Sequence, residues 1–523
     1  MTDELDMKMG EMLDTTRTQT SRARFACAKA LGSASSAVLK NVLHRSAGNF
    51  PGKIALYADS NLLAHVRSRM SCGSILVVGT NGKTTVTLMI ADMMEAQGYS
   101  VVCNRTGANL DSGIASVLLQ QPENNPAQWG VFETDEMWLA RVLPYLQSEY
   151  VVLLNLFPDQ EDRMNIADIQ RSIVSALASS PKTTVLYNAD DPNCAFIVDQ
   201  VRNPSIALGT RTGFFGDELA PRQRCPRCEH RVSVGKLGEK RKYNTDSEDI
   251  RRAQAACDVL EYSLHQYDQL GDYLCPTCGF TRAELDFIVD DVQITKAAAE
   301  RNAASEESNE AACVEPRETP NEKPDEASLA FTLIQQRPVQ STWRLHVPTT
   351  AKYMAYNMAF VAAVACLLDL DKDVVQKTIN AFNPNNGRLQ VLTVQGHETL
   401  INLAKNPSGF NQNIRLMIEH DGPVEAAFFV NNKEGDGRSL LWLNDVNFEL
   451  LAELENCHVY AGGSCGEAVA SRFARAGMNA IIVHNAAEVF ANAAVSGGSK
   501  VFLIANYTAL PAARADAMRL ANE

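Results

Sequence analysis

The segment GTNGKTT at positions 79–85 is the first candidate for a chemical role. It lies between an apolar run and a helical pattern. A turn from a strand into a helix presents backbone N–H groups and the positive end of the helix dipole to an anion. Lys83 can reach the terminal phosphates of a nucleotide, and the Thr84 hydroxyl can bind Mg²⁺. The usual loop has a glycine five residues before its second glycine, whereas this chain has Val77 there. We therefore predict a phosphate-binding loop of a shorter form.

A second candidate, VFETDE at residues 131–136, ends an apolar run that predicts a strand. Carboxylates beside a phosphate-binding loop are suited to Mg²⁺, which prefers oxygen ligands. We predict Glu133 as the Mg²⁺ ligand together with Thr84, ahead of Asp135 and Glu136. The alternative is an acidic turn that only contacts solvent.

Two further polar loops follow predicted strands, NLFPDQEDR at residues 155–163 and YNADDPN at residues 187–193. Such loops can offer an asparagine amide and an aspartate carboxylate to an adenine or a ribose, and we predict these roles for Asn188 and Asp191. Each loop is a weak signal alone, because loops rich in Asn and Asp are common after strands.

Four cysteines form two C-P-x-C knuckles, Cys225 with Cys228 and Cys275 with Cys278. Four thiolates at this spacing build a closed tetrahedral Zn²⁺ site, so we predict a structural zinc ribbon over about residues 221–282. Free core cysteines and a redox pair are the alternatives.

The composition narrows the possible classes of function. The chain has 523 residues, and its 48 basic and 62 acidic residues give a net charge of −14, which argues against general nucleic-acid binding. No apolar run approaches the roughly 20 residues of a membrane helix, and the N-terminal segment has no apolar core of a signal peptide. The 13 cysteines, an odd number, do not suggest a disulfide framework. We therefore expect a cytoplasmic protein.

The chain divides into three predicted units: an N-terminal leader or helical segment (1–50), an ATP-binding unit (51–391) and a C-terminal α/β unit (392–523). Residues 296–328 are acidic and poor in large apolar side chains, which predicts a disordered insertion. From residue 75 to about 220, strand-like and helix-like runs alternate, which predicts an α/β fold with a parallel sheet. The predicted strands are Ile75–Val78, Ser100–Cys103, Gly130–Glu133, Tyr150–Asn155 and Thr184–Asn188.

These motifs together resemble those of the ATP-dependent Mur ligases. The resemblance is carried by GTNGKTT, the glutamate after the third strand, the N-x-x-x-D-x-x-D spacing that begins at Asn155, YNADDP, and the later pairs Tyr356-Asn357 and Gly387-Arg388. It implies a Mur-ligase-like fold and an enzyme that uses ATP and Mg²⁺ to activate a carboxylate as an acyl phosphate for attack by an amine. It implies ATP binding by Gly79, Thr80, Asn81, Gly82, Lys83, Thr84, Thr85, Asn188, Asp191, Asn357 and Arg388.

Within the Mur ligases, the zinc knuckles and the C-terminal region resemble the MurT family. The C-terminal segments concerned are KNPSGFNQNI (405–414), DGRSLLWLNDVNFELL (436–451) and ANYTAL (505–510). The resemblance implies the synthetase subunit of a lipid II isoglutaminyl synthase, which works at the inner face of the membrane. Such a subunit amidates the α-carboxylate of D-glutamate in the lipid II stem peptide.

The same resemblance implies a partner, a GatD-like glutamine amidotransferase that releases ammonia from glutamine. No Cys–His–acid set of the glutaminase type is evident in this sequence, which agrees with the need for a partner. The resemblance also implies that the synthetase supplies an aspartate to the partner's catalytic site. Asp436 and Asp445 are the candidates. We expect Asp436, in an Asp-Gly turn, to be exposed and favour it, and we expect Asp445, in a strand-like run, to be buried.

Two other readings remain at the level of the sequence. One is a different ligase, either an amino-acid-adding Mur ligase or a folylpolyglutamate-synthase-like enzyme, against which the cysteines and NPSGFNQ count. The other is a non-catalytic zinc-ribbon assembly protein that binds ATP, against which the acidic and asparagine-bearing loops count.

Overall fold

A computed structural model describes most of the chain outside its insertions. The described residues are 22–39, 48–157, 165–211, 225–228, 261–267, 270–275, 277–295, 328–337, 339–382, 387–433, 436–437, 439–493 and 499–522. The predicted acidic insertion, apart from Ser328, lies outside these residues, as does the part of the N-x-x-x-D-x-x-D motif beyond Phe157.

The strands form two large sheets and one hairpin. Their bounds are β1 (Met70–Val78), β2 (Val101–Cys103), β3 (Ala127–Glu133), β4 (Tyr150–Leu153), β5 (Thr184–Asn188), β6 (Ser205–Thr210), β7 (Glu261–Tyr267), β8 (Leu270–Leu274), β9 (Phe287–Thr295), β10 (Ser328–Gln335), β11 (Ser341–Val347), β12 (Gln390–Val394), β13 (His397–Leu403), β14 (Val424–Phe429), β15 (Cys457–Gly462), β16 (Ile481–Ile482) and β17 (Lys500–Ala505).

The helices cover the sheets. They are α1 (22–39), α2 (Phe50–Ala58), α3 (Leu62–Val66), α4 (Lys83–Ala96), α5 (Asp111–Gln120), α6 (Leu139–Leu146), α7 (Ile166–Ala178), α8 (Pro192–Asp199), α9 (Tyr353–Leu367), α10 (Lys372–Asn380), α11 (Pro407–Ile418), α12 (Gly466–Arg475), α13 (Ala486–Ala493) and α14 (Leu510–Ala521).

The first sheet has nine strands in the order β11-β10-β9-β6-β5-β4-β1-β3-β2. Strands β1 to β6 pair in parallel with one another, and β6 also pairs in parallel with β9. The pairs β9–β10 and β10–β11 are antiparallel. The parallel sheet predicted from the alternating pattern is therefore confirmed, and the predicted strands are present within a few residues of their expected ends. The antiparallel strands β9 to β11 were not predicted.

Both faces of this sheet are buried, which explains why its central strands are continuously apolar. In β1, Ile75 and Val77 point into a core beneath α4 and α9, while Leu76 and Val78 point into the opposite core. Helix α9 is buried on nearly all sides, as its uniformly apolar sequence predicts.

The second sheet has six strands in the order β12-β13-β17-β14-β15-β16. Its strands are parallel except for the antiparallel pair β12 and β13. No helix among the described residues is long and apolar enough to cross a membrane.

Asp190 is fully buried, and its side chain and backbone together contact four separate segments of the first sheet region. Its carboxylate accepts hydrogen bonds from the Thr210 backbone N–H (2.9 Å), the Thr210 hydroxyl (2.8 Å) and the Tyr356 hydroxyl (2.8 Å). It also pairs with Arg282 Nη1 at 2.6 Å, and its backbone carbonyl accepts from Gly271 N at 2.9 Å. Burial, with a contribution from Asp190, raises the pKa of Tyr356 well above its usual value, so the hydroxyl keeps its proton and donates.

Because of these contacts, we expect removal of the Asp190 carboxylate to lower the free energy of unfolding strongly. Asp190→Ala should lower the free energy of unfolding by about 3–5 kcal/mol, because it removes one partner of a largely buried ion pair together with the acceptor of the Thr210 and Tyr356 hydroxyls. Asp199→Ala is the matched control, since Asp199 pairs with Arg227 at the surface and should cost about 1 kcal/mol or less. Urea unfolding followed by circular dichroism measures both changes. Equal effects of the two substitutions would contradict the role of Asp190.

Candidate active site

Asn155, which follows β4, the neighbour of β1 in the sheet, fixes the conformation of the phosphate loop. The backbone N–H groups of Thr80 and Asn81 donate to the carbonyl and the side-chain Oδ1 of Asn155, both at 2.9 Å, and Asn155 Nδ2 donates to the Asn81 carbonyl at 3.0 Å. The first bond of α4 runs from Val86 N to the Gly82 carbonyl. The N–H groups of the first turn of α4 therefore lie before the helical bonding pattern begins and are available to an anion.

The shorter loop depends on its two glycines. Gly79 and Gly82 have φ angles of 146° and 85°, in the region that favours glycine. A Cβ atom on Gly82 would lie 2.6 Å from Asn357 Oδ1. The predicted nucleotide residue Asn357 therefore lies directly against the loop, which has no room for a side chain there.

Lys83 lies among three carboxylates at the first turn of α4. Its Nζ pairs with Glu136 Oε1 at 3.1 Å and also donates to the Gly79 carbonyl. Burial alone would lower the pKa of Lys83, but the carboxylates of Glu136, Glu133 and Asp135 outweigh that effect and raise it. Lys83 is therefore a buried cation beside the loop at neutral pH.

Thr84 and Glu133 also meet at this point. Thr84 Oγ1 donates to Glu133 Oε2 at 2.7 Å, and the backbone of Glu133 is held by Asn104, which exchanges two hydrogen bonds with it. Asn109 Nδ2 approaches Glu133 Oε1 at 3.4 Å. A hydroxyl and a carboxylate side by side next to a phosphate loop are a donor set that fits Mg²⁺.

A cavity adjoins the phosphate loop. It is lined by loop residues, by Asn188, Asn357 and Arg388, and by apolar side chains that include Phe360 and Phe382. The structure thus brings six of the predicted nucleotide residues to one cavity, namely Asn81, Gly82, Thr85, Asn188, Asn357 and Arg388.

Asp191, however, does not reach this cavity. Its carboxylate accepts from the backbone N–H groups of Leu156 (2.7 Å) and Asn193 (2.9 Å) and caps α8. Burial raises the pKa of Asp191 to about 6. Asn188 Nδ2 donates to the Leu154 carbonyl at 3.0 Å, so this residue also positions the strand ends. Asp190, the neighbour of Asp191 that forms the buried junction, was not among the predicted site residues.

The four cysteines of the knuckles come together as predicted. Their sulfur atoms all lie within 4.8 Å of one another, with Cys225–Cys278 at 3.7 Å and Cys228–Cys275 at 3.8 Å. A tetrahedral zinc ion with sulfur ligands at about 2.3 Å separates its ligands by about 3.8 Å, whereas a disulfide would need about 2.05 Å. The arrangement fits a closed Zn²⁺ site.

The two candidate aspartates of the C-terminal region have the opposite exposure to that expected. Asp436 is 2% exposed, and its carboxylate accepts from the backbone N–H and the hydroxyl of Thr508. Asp445 is exposed at the end of a 3₁₀ helix, Leu441–Asp445, so the strand-like interpretation of this run is wrong. Trp442 is buried against Phe410 and gives the segment its apolar pattern.

Comparison with known proteins gives the class to which this fold and site belong. The family model of the Mur ligase middle domain matches residues 77–219. The solved structure of the UDP-N-acetylmuramoylalanyl-D-glutamyl-2,6-diaminopimelate–D-alanyl-D-alanyl ligase from Acinetobacter baumannii has the same fold, with a TM-score of 0.57 and 15% identity over 89% of this chain and 80% of that one. The chain has the Mur ligase fold.

The C-terminal region shows which of the Mur ligases this chain resembles. The MurT ligase C-terminal model matches residues 403–510. The MurT subunit of lipid II isoglutaminyl synthase from Staphylococcus aureus is 24% identical over 88% of this chain and 91% of its own length. The corresponding subunit from Streptococcus pneumoniae is 25% identical, with coverages of 88% and 90%. The resemblance to MurT inferred from the motifs is thus confirmed.

The cysteine geometry predicts one bound zinc ion that stabilises the fold. We expect about one equivalent of zinc per chain, and Cys278→Ser should lose the metal and lower the thermal midpoint, because a closed site contributes folding free energy. Cys72→Ser, which changes an exposed cysteine outside the cluster, should leave both unchanged. Metal analysis and thermal unfolding test this expectation, and a zinc-free wild-type protein prepared with zinc present would refute it.

Proposed function

We propose that this protein is the ATP-dependent synthetase subunit of a lipid II isoglutaminyl synthase. It would amidate the α-carboxylate of D-glutamate in the stem peptide with ammonia from a glutaminase partner. The observation that carries the proposal is the phosphate loop with Lys83, Thr84 and Glu133 assembled at its end. The similarity to MurT subunits over most of the chain supports the choice of substrate.

The proposed reaction has two steps. A carboxylate oxygen attacks the γ-phosphorus of ATP, the bond to the β-phosphate oxygen breaks, and ADP leaves. Ammonia then attacks the carbonyl carbon of the acyl phosphate, phosphate leaves and a proton is lost. Lys83 and the N–H groups at the start of α4 stabilise the negative charge on the transferring phosphoryl group. Mg²⁺ held by Thr84 and Glu133 would neutralise phosphate charge.

The large cleft beside Lys83 is the proposed place for the peptide substrate. It is lined by the phosphate loop and its carboxylates, and by Tyr507 and Thr508 in the turn after β17. Lys377, Arg388 and Lys405 also line it, which gives an acidic protein a local cationic surface for an anionic substrate. We accordingly propose that units 51–391 and 392–523 both contribute to substrate binding.

We propose that Asp445 completes the catalytic site of the glutaminase partner. Its exposure supports this choice over Asp436, whose carboxylate is already used to hold Thr508. Among the described residues no hydrogen bond or ion pair engages the Asp445 carboxylate, while Asn411 Nδ2 donates to its backbone carbonyl at 3.3 Å. The position is therefore fixed while the carboxylate stays accessible to a partner histidine. The proposed location of the complex is the cytoplasmic face of the membrane.

Lys83→Met should abolish amidation with either nitrogen source. The loss should be at least about 10³-fold, because the cation that faces the transferring phosphoryl group is removed. Lys182→Met, at an exposed lysine, is the control and should keep wild-type rates. The assay contains lipid II, ATP, Mg²⁺ and either the partner with glutamine or a high concentration of ammonium. Activity of the Lys83 variant near that of the wild type would end the proposal.

Asp445→Asn should separate the two nitrogen sources. Glutamine-driven amidation should fall by up to about 10⁴-fold, as when a catalytic histidine loses its orienting acid, while ammonium-driven amidation should be unchanged. Asp436→Asn should instead reduce stability and affect both activities together, since it disturbs the buried contact with Thr508. A glutamine-specific defect in the Asp436 variant, with a normal Asp445 variant, would reverse the assignment.

A further inference from the structure

Helices α1 and α2 lie in a basic stretch of an otherwise acidic chain. Residues 15–58 include seven lysines and arginines and no aspartate or glutamate, although the net charge of the whole chain is −14. Arg22, Arg24 and Lys53 are exposed, and no ion pair with another described residue engages them. A basic stretch on the surface of an acidic protein indicates an anionic partner.

The solvent-facing sides of the same two helices also carry large apolar side chains. On α1, Leu31 and Val38 are about half exposed and follow Arg24 at intervals of seven residues, which places the three on one face of the helix. On α2, Phe50 is about half exposed and Tyr57, two turns later, is 95% exposed. Single exposed apolar residues are common, but these recur with the helical repeat and beside cations.

Helices α1 and α2 pack against each other and against α5. A Cβ atom on Gly32 of α1 would lie 3.3 Å from Ala55 Cβ of α2 and 2.8 Å from a methyl carbon of Leu119 in α5. Gly52 N of α2 donates to Ser116 Oγ of α5 at 2.8 Å. The exposed sides of the two helices therefore lie on neighbouring parts of the surface. We call their exposed basic and large apolar residues the α1–α2 face, which consists of Arg24, Leu31, Val38, Phe50, Lys53 and Tyr57.

The α1–α2 face adjoins the cleft that we propose for the peptide substrate. Gly48 and Asn49, which line that cleft, immediately precede Phe50 of the face. The cleft is fixed to the second sheet region as well, because Asn406 Nδ2 donates to Asn81 Oδ1 of the phosphate loop at 3.2 Å. A surface that contacts the α1–α2 face would therefore lie beside the entrance to the proposed substrate site.

We propose that the α1–α2 face docks on a bilayer surface that contains anionic phospholipid. This docking rests on the proposed function, whose substrate is carried by a lipid, and it adds the surface of the protein that makes the contact. The cations would bind lipid phosphates, while the apolar side chains enter the boundary between headgroups and acyl chains. A second copy of this chain fits the face less well, because a twofold contact would bring the same cations together.

Flotation of the purified full chain with vesicles tests the docking. The wild type should bind vesicles of equal parts phosphatidylcholine and phosphatidylglycerol but not vesicles of phosphatidylcholine alone, and added salt should weaken the binding. Arg24→Gln combined with Lys53→Gln should weaken it about 20-fold or more, since each cation near an anionic membrane contributes about fivefold. Tyr57→Ser should weaken it at every salt concentration, because the side chain that enters the boundary is lost.

Two matched controls change exposed residues elsewhere on the protein. Lys182→Gln combined with Arg202→Gln removes two exposed cations, and Val339→Ser removes an exposed apolar side chain. Both controls should bind vesicles as the wild type does. All variants should keep the wild-type thermal midpoint, because every changed side chain is exposed.

Equal binding of the wild type to both kinds of vesicle, no binding to either, or an equal loss in the controls would overturn the docking. So would displacement from vesicles by the glutaminase partner, or a dimer in light scattering that Tyr57→Ser dissociates, since either result gives the face another occupant. Amidation of lipid II in detergent micelles is measured separately. A wild type that amidates there without binding vesicles overturns the docking alone, whereas one that binds vesicles without amidating lipid II in either form overturns the proposed function.

Discussion

The buried carboxylate of Asp190 is the interaction on which the arrangement of the first sheet region depends. Its partners come from β6, from the segment after the second zinc knuckle and from α9, and these are far apart in the sequence. A charge buried to this degree is tolerated only when all its acceptor positions are used. The carboxylate in the loop YNADDPN therefore ties β6, the segment that carries Arg282 and helix α9 to one another.

The same dependence links the four-cysteine cluster to the first sheet region. Arg227 in the first knuckle pairs with Asp199 at the end of α8 and lies over the ring of Phe280. Arg282, a few residues beyond the second knuckle, reaches Asp190. The segments that carry the cysteine cluster thus position two arginines that contact the loop and helix α8 following β5, and Asp191 caps that helix.

The sequence predicted well the parallel strands and the turn from strand to helix at residues 79–85, because both are local patterns. Apolar runs mark the buried strands, and glycine with lysine at fixed spacing marks the loop. The errors arose where a distant residue decides the outcome. Asp436 was expected at the surface of a turn, but it is buried because Thr508, far along the chain, donates to it.

Neighbouring residues of one type were a second source of error. Asp190 and Asp191 are adjacent residues of the same type, so the sequence does not show which of them has which role. Asp190 forms the buried ion pair with Arg282, whereas Asp191 caps α8. The apolar run around Trp442 was interpreted as a strand, but its aromatic side chains pack onto Phe410 and Phe428 from 3₁₀ helices. Local periodicity in so short a run does not distinguish a strand from a tight helix.

The hydrogen bond between Asn406 and Asn81 has a consequence for recombination between relatives. It joins the cap of a C-terminal helix to the phosphate loop across 325 positions of sequence. The Asn406 side chain also accepts from Gly409 N, and the backbone N–H of Asn81 donates to Asn155 Oδ1. A chimera that takes the two sheet regions from different parents inherits this contact only if both parents have side chains that match at these positions. The two positions should therefore be exchanged as a pair when such hybrids are built.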